Sequence, residues 1–403
     1  MTPAAQGAIP FIVAVMVAAT ALSFVLSPLA IRFARQIGAI DRPDSNRRVH
    51  RQPIPRGGGL AVVASFVGVG VVAVVINDMV KAVPAFGVLP RPEQLAALFG
   101  GSLLAAALGF LDDRYQLRAR WQLLIQLFLA GVAVAAGISI GFIDNPLQFL
   151  GGPFAFQLID FGAEVTIVVT VLWIVGMINS INFIDGLDGL STGISFIAAI
   201  TLGIVALTLN LPAVAVLCAV LAGALAGFLP WNFHRARVFI GTTGVYAVGY
   251  ALAVLSIMGV GKVAVAMLVL GVPIIDTFWI IIRRLSSRRS PFTPDRGHFH
   301  HRLLDLGLTH RGAVLVIYGI CGLLALLSLV LSGTGSLYAF MGVVVGGGLV
   351  LYLMTRRARE ALDARTYEAQ EPTEALTIEA AEEERARLAR TAGTESRPHR
   401  PEA

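Results

Sequence analysis

The chain is poor in charge. Of its 403 residues only 14% are Asp, Glu, Lys or Arg, while 56% are hydrophobic. Soluble domains carry about 25% charged residues, so a water-soluble globule is excluded. Cysteine is scarce too. Cys218 and Cys321 stand alone inside apolar runs, which excludes a disulfide framework and a thiolate metal site. No Lys or Arg precedes Arg32. The first apolar run lacks the positive flank of a cleaved leader and reads as a retained span with its N-terminus outside. No internal repeat of roughly 20–50 residues is visible, and the two halves do not match.

What the chain does have is apolar runs of membrane-crossing length. Eleven recur, at about 8–31, 57–77, 93–111, 121–142, 165–181, 192–209, 211–229, 244–260, 263–282, 313–332 and 335–354. The expected fold is all-α: a polytopic integral membrane domain over residues 1–354, with about 11 transmembrane helices. A charged tail, 355–403, follows. With the N-terminus outside and the spans alternating, nineteen arginines fall in inner loops, and only Lys81, Arg91 and Lys262 fall outside. That bias predicts a cytoplasmic C-terminus and a multi-pass protein of the cell membrane. The tail holds eleven acidic and nine basic residues. A short helix is expected over ALTIEAAEEERARLAR and disorder elsewhere. The net +6 therefore belongs to the membrane body. Its basic inner rim suits anionic lipid heads or an anionic substrate, or sets topology alone. Nucleic acid is not an expected partner.

In this topology every polar cluster lands on the cytoplasmic side. LGFLDDRYQLRARW ends span three with Asp112 and Asp113. NSINFIDGLDGLSTG follows span five with Asn179, Asn182, Asp185 and Asp188. Both spans run inward, so these carboxylates sit at partially negative helix ends, where each is disfavoured by roughly 0.3–1 kcal/mol. Arg114 is a local counterion for the first pair, and no basic residue is near the second in sequence. Alone, the second pair reads as turn chemistry, since Gly186 and Gly189 make Asp-Gly corners, and the first as a solvated helix terminus. The two pairs together, at apolar helix ends, favour a site for a hard divalent metal or for phosphate. The loop 283–312 supplies seven arginines with His298, His300, His301 and His310. Arginine reads phosphate. The histidines suit anion binding or proton handling better than zinc, whose usual ligand spacing is missing. Within span nine, Pro273 predicts a kink. Asp276, three residues on, is either functional or hydrogen-bonded to a neighbouring span.

LGFLDD, NxxNFIDGLDGL, FLPWNFHRARVFIG and PDRGHFHHRLLDLGL, in that order, resemble the polyprenyl-phosphate N-acetylhexosamine-1-phosphate transferases. The resemblance runs from about Arg32 to Arg311. It implies transfer of a sugar-1-phosphate from a UDP-N-acetylhexosamine to a polyprenyl phosphate such as undecaprenyl phosphate, with release of UMP, for cell-envelope polysaccharide synthesis. It implies Mg²⁺ (or Mn²⁺) as cofactor, held by Asp112, Asp113, Asp185 and Asp188. Asp112, Asp113 and Asp185 carry catalytic roles, with His298, His300 and His301 at the diphosphate. Asn179, Asn182, Asp188, Arg296 and Arg302 line the substrate pocket. Asn232 meets the uridine side, and His50 and Arg56 belong to a basic stretch of the first inner loop. The bent ninth span is expected to border the lipid groove, and a homodimer is an allowed assembly. The family pattern F-x-G-D-x-G-S reads VFIGTTGVY here, so Thr242 stands where a metal-binding Asp is usual and Val245 replaces the serine. GHFHHRLLDLGL resembles the N-acetylglucosamine branch more than the muramoyl-pentapeptide branch.

Phosphoryl transfer between two anions needs neutralised charge and alignment more than covalent help. A greasy acceptor with a polar phosphate suits a site at the inner boundary of the bilayer. A direct transfer and a route through an aspartyl-phosphate both remain open. Two other classes also stay open: an ion-coupled transporter, and a catalytically silent lipid-binding relative.

Overall fold

A computed structural model describes residues 3–41, 53–80, 90–152, 156–259, 263–286, 298–331 and 334–394. Among these residues thirteen α-helices are built from the apolar runs and their connections. They are α1 Pro3–Gln36, α2 Gly58–Val80, α3 Pro92–Tyr115, α4 Ala119–Ala135, α5 Ala163–Ile184, α6 Leu190–Thr208 and α7 Pro212–Asn232. Then come α8 Gly241–Met258, α9 Val263–Val269, α10 Gly271–Ser286, α11 Phe299–Asp305, α12 His310–Val330 and α13 Thr334–Thr394. Two small antiparallel pairs, β1 Ile40–Asp41 with β2 Ile54–Pro55 and β3 Phe142–Asp144 with β4 Leu158–Asp160, and a 3-10 turn at Gln148–Leu150 complete the described elements. The all-α membrane architecture is thus present.

Among the described residues nine helices are long and apolar enough to cross a membrane, and the pair α9 and α10 makes a tenth if its 80° bend lies within one span. Each of the eleven expected runs forms helix. The difference lies in 121–142, where α4 has only 17 residues. Gly137, at φ +73°, ends it. Gly137 N–H bonds Val134 O, and Ile138 N–H bonds Ala133 O. This is a Schellman stop, with Ile138 buried beneath it. The run then turns into the β3–β4 hairpin.

The chain divides into two compact units, Met1–Gly348 and Leu349–Ala403. In the first, α7 and α8 are the innermost spans. α7 packs on α1 and α6, and α8 packs on α3, α5 and α2. Small residues allow the close crossings. A Cβ on Gly59 would lie 2.2 Å from Gly244 N, and one on Gly109 would lie 2.3 Å from Thr242 O. Outward faces stay apolar, as Val17, Val25 and Leu172 show, which is what hydrocarbon requires. In the second unit, helix α13 continues to Thr394 where a mostly disordered tail is expected. Residues 374–391 are rich in Ala, Glu and Arg, all strong helix formers.

Candidate active site

The acidic and histidine motifs meet where α3, α5 and α7 end and α6, α8 and α12 begin. Asp112 and Asp113 are consecutive on α3, so their side chains diverge by about 100° around the helix. Asp112 Oδ1 accepts Leu117 N–H at 2.9 Å and Gln122 Nε2–H at 2.8 Å, which braces the turn from α3 into α4. Asp113 reaches across to α8. Its Oδ1 accepts Thr242 N–H at 2.9 Å, and its Oδ2 accepts Thr243 N–H at 2.9 Å and Thr243 Oγ1–H at 2.7 Å. Asp113 therefore caps the first turn of α8 from another helix and faces that helix's positive end.

The local counterion expected for this pair, Arg114, is not what meets Asp113. Its helix-end penalty is met by the α8 N-terminus, while Arg114 stacks over its neighbour Tyr115. The second acidic pair is corrected too. The folded chain brings Arg56 near Asp185, and His234 and His310 to Asp188.

Asp185 closes α5 and accepts Ser191 Oγ–H from the start of α6. Burial pushes its carboxyl up to about 7, and the charges of Asp113 and Asp188 push the same way, against the Ser191 bond and Arg56. Asp188 Oδ2 lies 3.1 Å from His234 Nδ1 and accepts Ala236 N–H at 3.1 Å. Asp188 N–H donates to His310 Nε2 at 2.9 Å. The rings of His234 and His310 stack 4.5 Å apart. Among the described residues Asp188, His234 and His310 form the one group of three metal-type side chains whose ligand atoms all lie within 4.8 Å. Their mutual hydrogen bonds already account for that cluster. Asp112, Asp113 and Asp185 are not gathered to ligand distance in such a group.

His300 is 1% exposed. It lies over the Asp-Gly corner so closely that a Cβ on Gly186 would fall 2.1 Å from its Nε2. Neither ring nitrogen has a hydrogen-bond partner. Burial holds this imidazole well below its usual range, and nearby His301, His298 and His310 add to the effect. The His300 ring stands 5.4 Å from His298 and 4.4 Å from His301. His298 Nδ1 lies 2.8 Å from Asp276 Oδ2. Arg56 pairs with Asp41 at 2.9 Å and bridges to Phe239, just before α8. Arg302 is buried.

Two of the expected pocket residues, Asn232 and Asn179, make hydrogen bonds within the fold. Asn232 is 2% exposed. It accepts Thr192 Oγ1–H at 2.7 Å and donates to Val238 O at 3.1 Å, so it ties α6 to the end of α7. Asn179 pairs with Gln126 of α4 at 2.6 Å. Asn182 is half-buried beside Phe183. His50 and Arg296 lie outside the described residues. Two contributors went unseen in the sequence. His234 stood in a quoted segment, and Thr243 stood beside the noted Thr242, but neither signals its partner without the fold.

Carboxylate oxygens are the donor type that a hard divalent cation takes, and Asp113 and Asp188 both act electrostatically on Asp185. Asp185 with the charges of Asp113 and Asp188 around it leaves an excess of negative charge, which such an ion relieves.

Comparison with known proteins adds a second line. The glycosyl transferase family 4 profile matches residues 95–260. The chain is 37% identical over 300 residues to a probable undecaprenyl-phosphate N-acetylglucosaminyl 1-phosphate transferase of Bacillus subtilis, covering 73% of this chain and 77% of that protein. It is 33% identical over 354 residues to a decaprenyl-phosphate N-acetylglucosaminephosphotransferase of Mycolicibacterium smegmatis, covering 81% and 83%. It is 30% identical over 284 residues to an undecaprenyl-phosphate alpha-N-acetylglucosaminyl 1-phosphate transferase of Thermotoga maritima, covering 70% and 78%. These names argue against the transporter alternative. With its motifs in order and relatives of this similarity along most of its length, the chain belongs to glycosyl transferase family 4.

Proposed function

We propose that this protein transfers N-acetylglucosamine-1-phosphate from a UDP-sugar to a polyprenyl phosphate and releases UMP, on the cytoplasmic side of a cell membrane. The carrying observation is the meeting of Asp113, Asp185 and Asp188 with Arg56 and the His298–His301 segment at adjoining helix ends. The relatives' names support the sugar and the lipid carrier. The excess of inner-loop arginines supports the orientation.

In this reading the donor diphosphate lies between the Asp185–Asp188 corner and the histidines. Arg56 and the histidine N–H groups take up charge on its oxygens. A phosphate monoester, with a second pKa near 6, is mostly dianionic at neutral pH and attacks without much help from a base. Any residual proton goes to Asp112 or Asp113 in this reading. Asp113, locked on α8, keeps α3 and α8 aligned during transfer. Asp113 and Asp185, with Asp112 and Asp188 beside them, would hold Mg²⁺, which when bound lowers repulsion between the two phosphates. Thr242 contributes no carboxylate, so the metal rests on the other acids. A homodimer is compatible with this site and not required by it.

The test is UMP release by the purified protein from UDP-N-acetylglucosamine, with polyprenyl phosphate and Mg²⁺ in detergent. Product that depends on all three is expected, and Asp112→Asn or Asp185→Asn should abolish it. A well-folded protein that releases no UMP under these conditions, with metals and lipid lengths varied, is a silent relative and overturns the reading.

A further inference from the structure

Asp276 lies on α10, in the second half of the bent segment, and is 1% exposed. A carboxylate so deep in an apolar span is costly and calls for a reason. Its two oxygens are both spent on the histidine segment. Oδ2 lies 2.8 Å from His298 Nδ1, and Oδ1 accepts Phe299 N–H at 2.8 Å. An ionised carboxylate can only accept, so His298 Nδ1 donates. The other ring nitrogen, Nε2, is then on the opposite edge. That ring packs edge-on against Phe183, at 6.0 Å, and parallel to His300, at 5.4 Å. Phe183 stands two residues before Asp185, so His298 borders the acidic corner. Cohesion alone explains the pair poorly, because a buried ion pair adds little over a well-packed apolar pair.

We propose that Asp276 is a positioning residue for the transfer. Its carboxylate accepts from His298 Nδ1–H and fixes the ring so that Nε2, which donates once the ring carries its second proton, faces the phosphate groups of the substrates. This deepens the transferase reading and rests on it. Which nitrogen of an imidazole faces its task is set by the bond that the other makes. Asp276 also receives the first free N–H of α11, so one carboxylate sets both the ring and the helix that carries it.

The experiment measures UMP release at saturating and limiting concentrations of both substrates, beginning with the unaltered protein. No release there would fail the transferase reading itself and not this inference. Given activity, Asp276→Asn should lower kcat by roughly 10–100-fold, as the loss of a histidine-orienting carboxylate does elsewhere, with KM nearly unchanged. In a His298→Ala background the same change should cost nothing further. His298→Asn guards against misfolding of the first variant, because its amide keeps a donor for Asp276 but lacks Nε2. It should be as impaired as His298→Ala. Wild-type kcat in His298→Asn, or independent losses in the double variant, would overturn the proposal and leave the pair a fold contact.

Discussion

Asp185 is a carboxyl whose environment works against its charge. The folded protein raises it to about 7 from the ordinary 3.8. The fold therefore binds this proton more tightly than the unfolded chain does. The resulting stability is present at low pH and is lost as pH rises through about 7. Asp185→Asn should thus melt higher than the parent at pH 8 without metal, and equally at pH 4. The amide oxygen still accepts from Ser191. Mg²⁺ should raise the melting temperature of the parent at pH 8 and leave the variant unmoved. An equal response of both to Mg²⁺ would remove Asp185 from the metal set. Thr242→Asp tests the departure at α8. A new carboxylate beside Asp113, whose Oδ1 is 2.9 Å from residue 242 N–H, should lower stability without metal and tighten Mg²⁺ binding, read by calorimetry. Unchanged affinity would mean that position 242 has no part in coordination.

At the scale of elements, the acidic corner between α5 and α6 is shaped by what lies over it. Gly186→Ala places a methyl 2.1 Å from His300 Nε2. The ring cannot swing away cheaply, since it is buried and flanked by His298 and His301. Transfer should fall by at least about tenfold, a cost on the order of 1–3 kcal/mol for overpacking. Near-parental activity would show that the corner relaxes. The α2–α8 crossing is less forgiving. Gly59→Ala meets backbone, Gly244 N at 2.2 Å, so the helices themselves must part. A markedly lower melting temperature in detergent is expected, with loss of activity following from loss of fold.

For the whole molecule, the side on which the helix ends meet is a matter of charge. Cys218 and Cys321 are buried, so replacing both by Ser leaves a background for single-cysteine labelling in intact cells. A cysteine at Arg120 should resist an impermeant thiol reagent, and one at Glu93 should react. The reverse pattern would invert the protein and put the acidic motifs outside.

Hydrocarbon demands long apolar helices, and that demand is written locally. The sequence alone therefore determined the all-α membrane class, the run positions and the acidic and histidine motifs. Helix ends needed more. The stop at Gly137 depends on a backbone bond from Ile138 to Ala133, which no hydropathy pattern records. Partnerships needed most. Asp113 with Thr243, 130 residues apart, Asp188 with His310, 122 apart, and Asp276 with His298 exist only after the helices pack. The electrostatics of a carboxylate depend on which helix end and which cation stand beside it, and only the tertiary structure decided that.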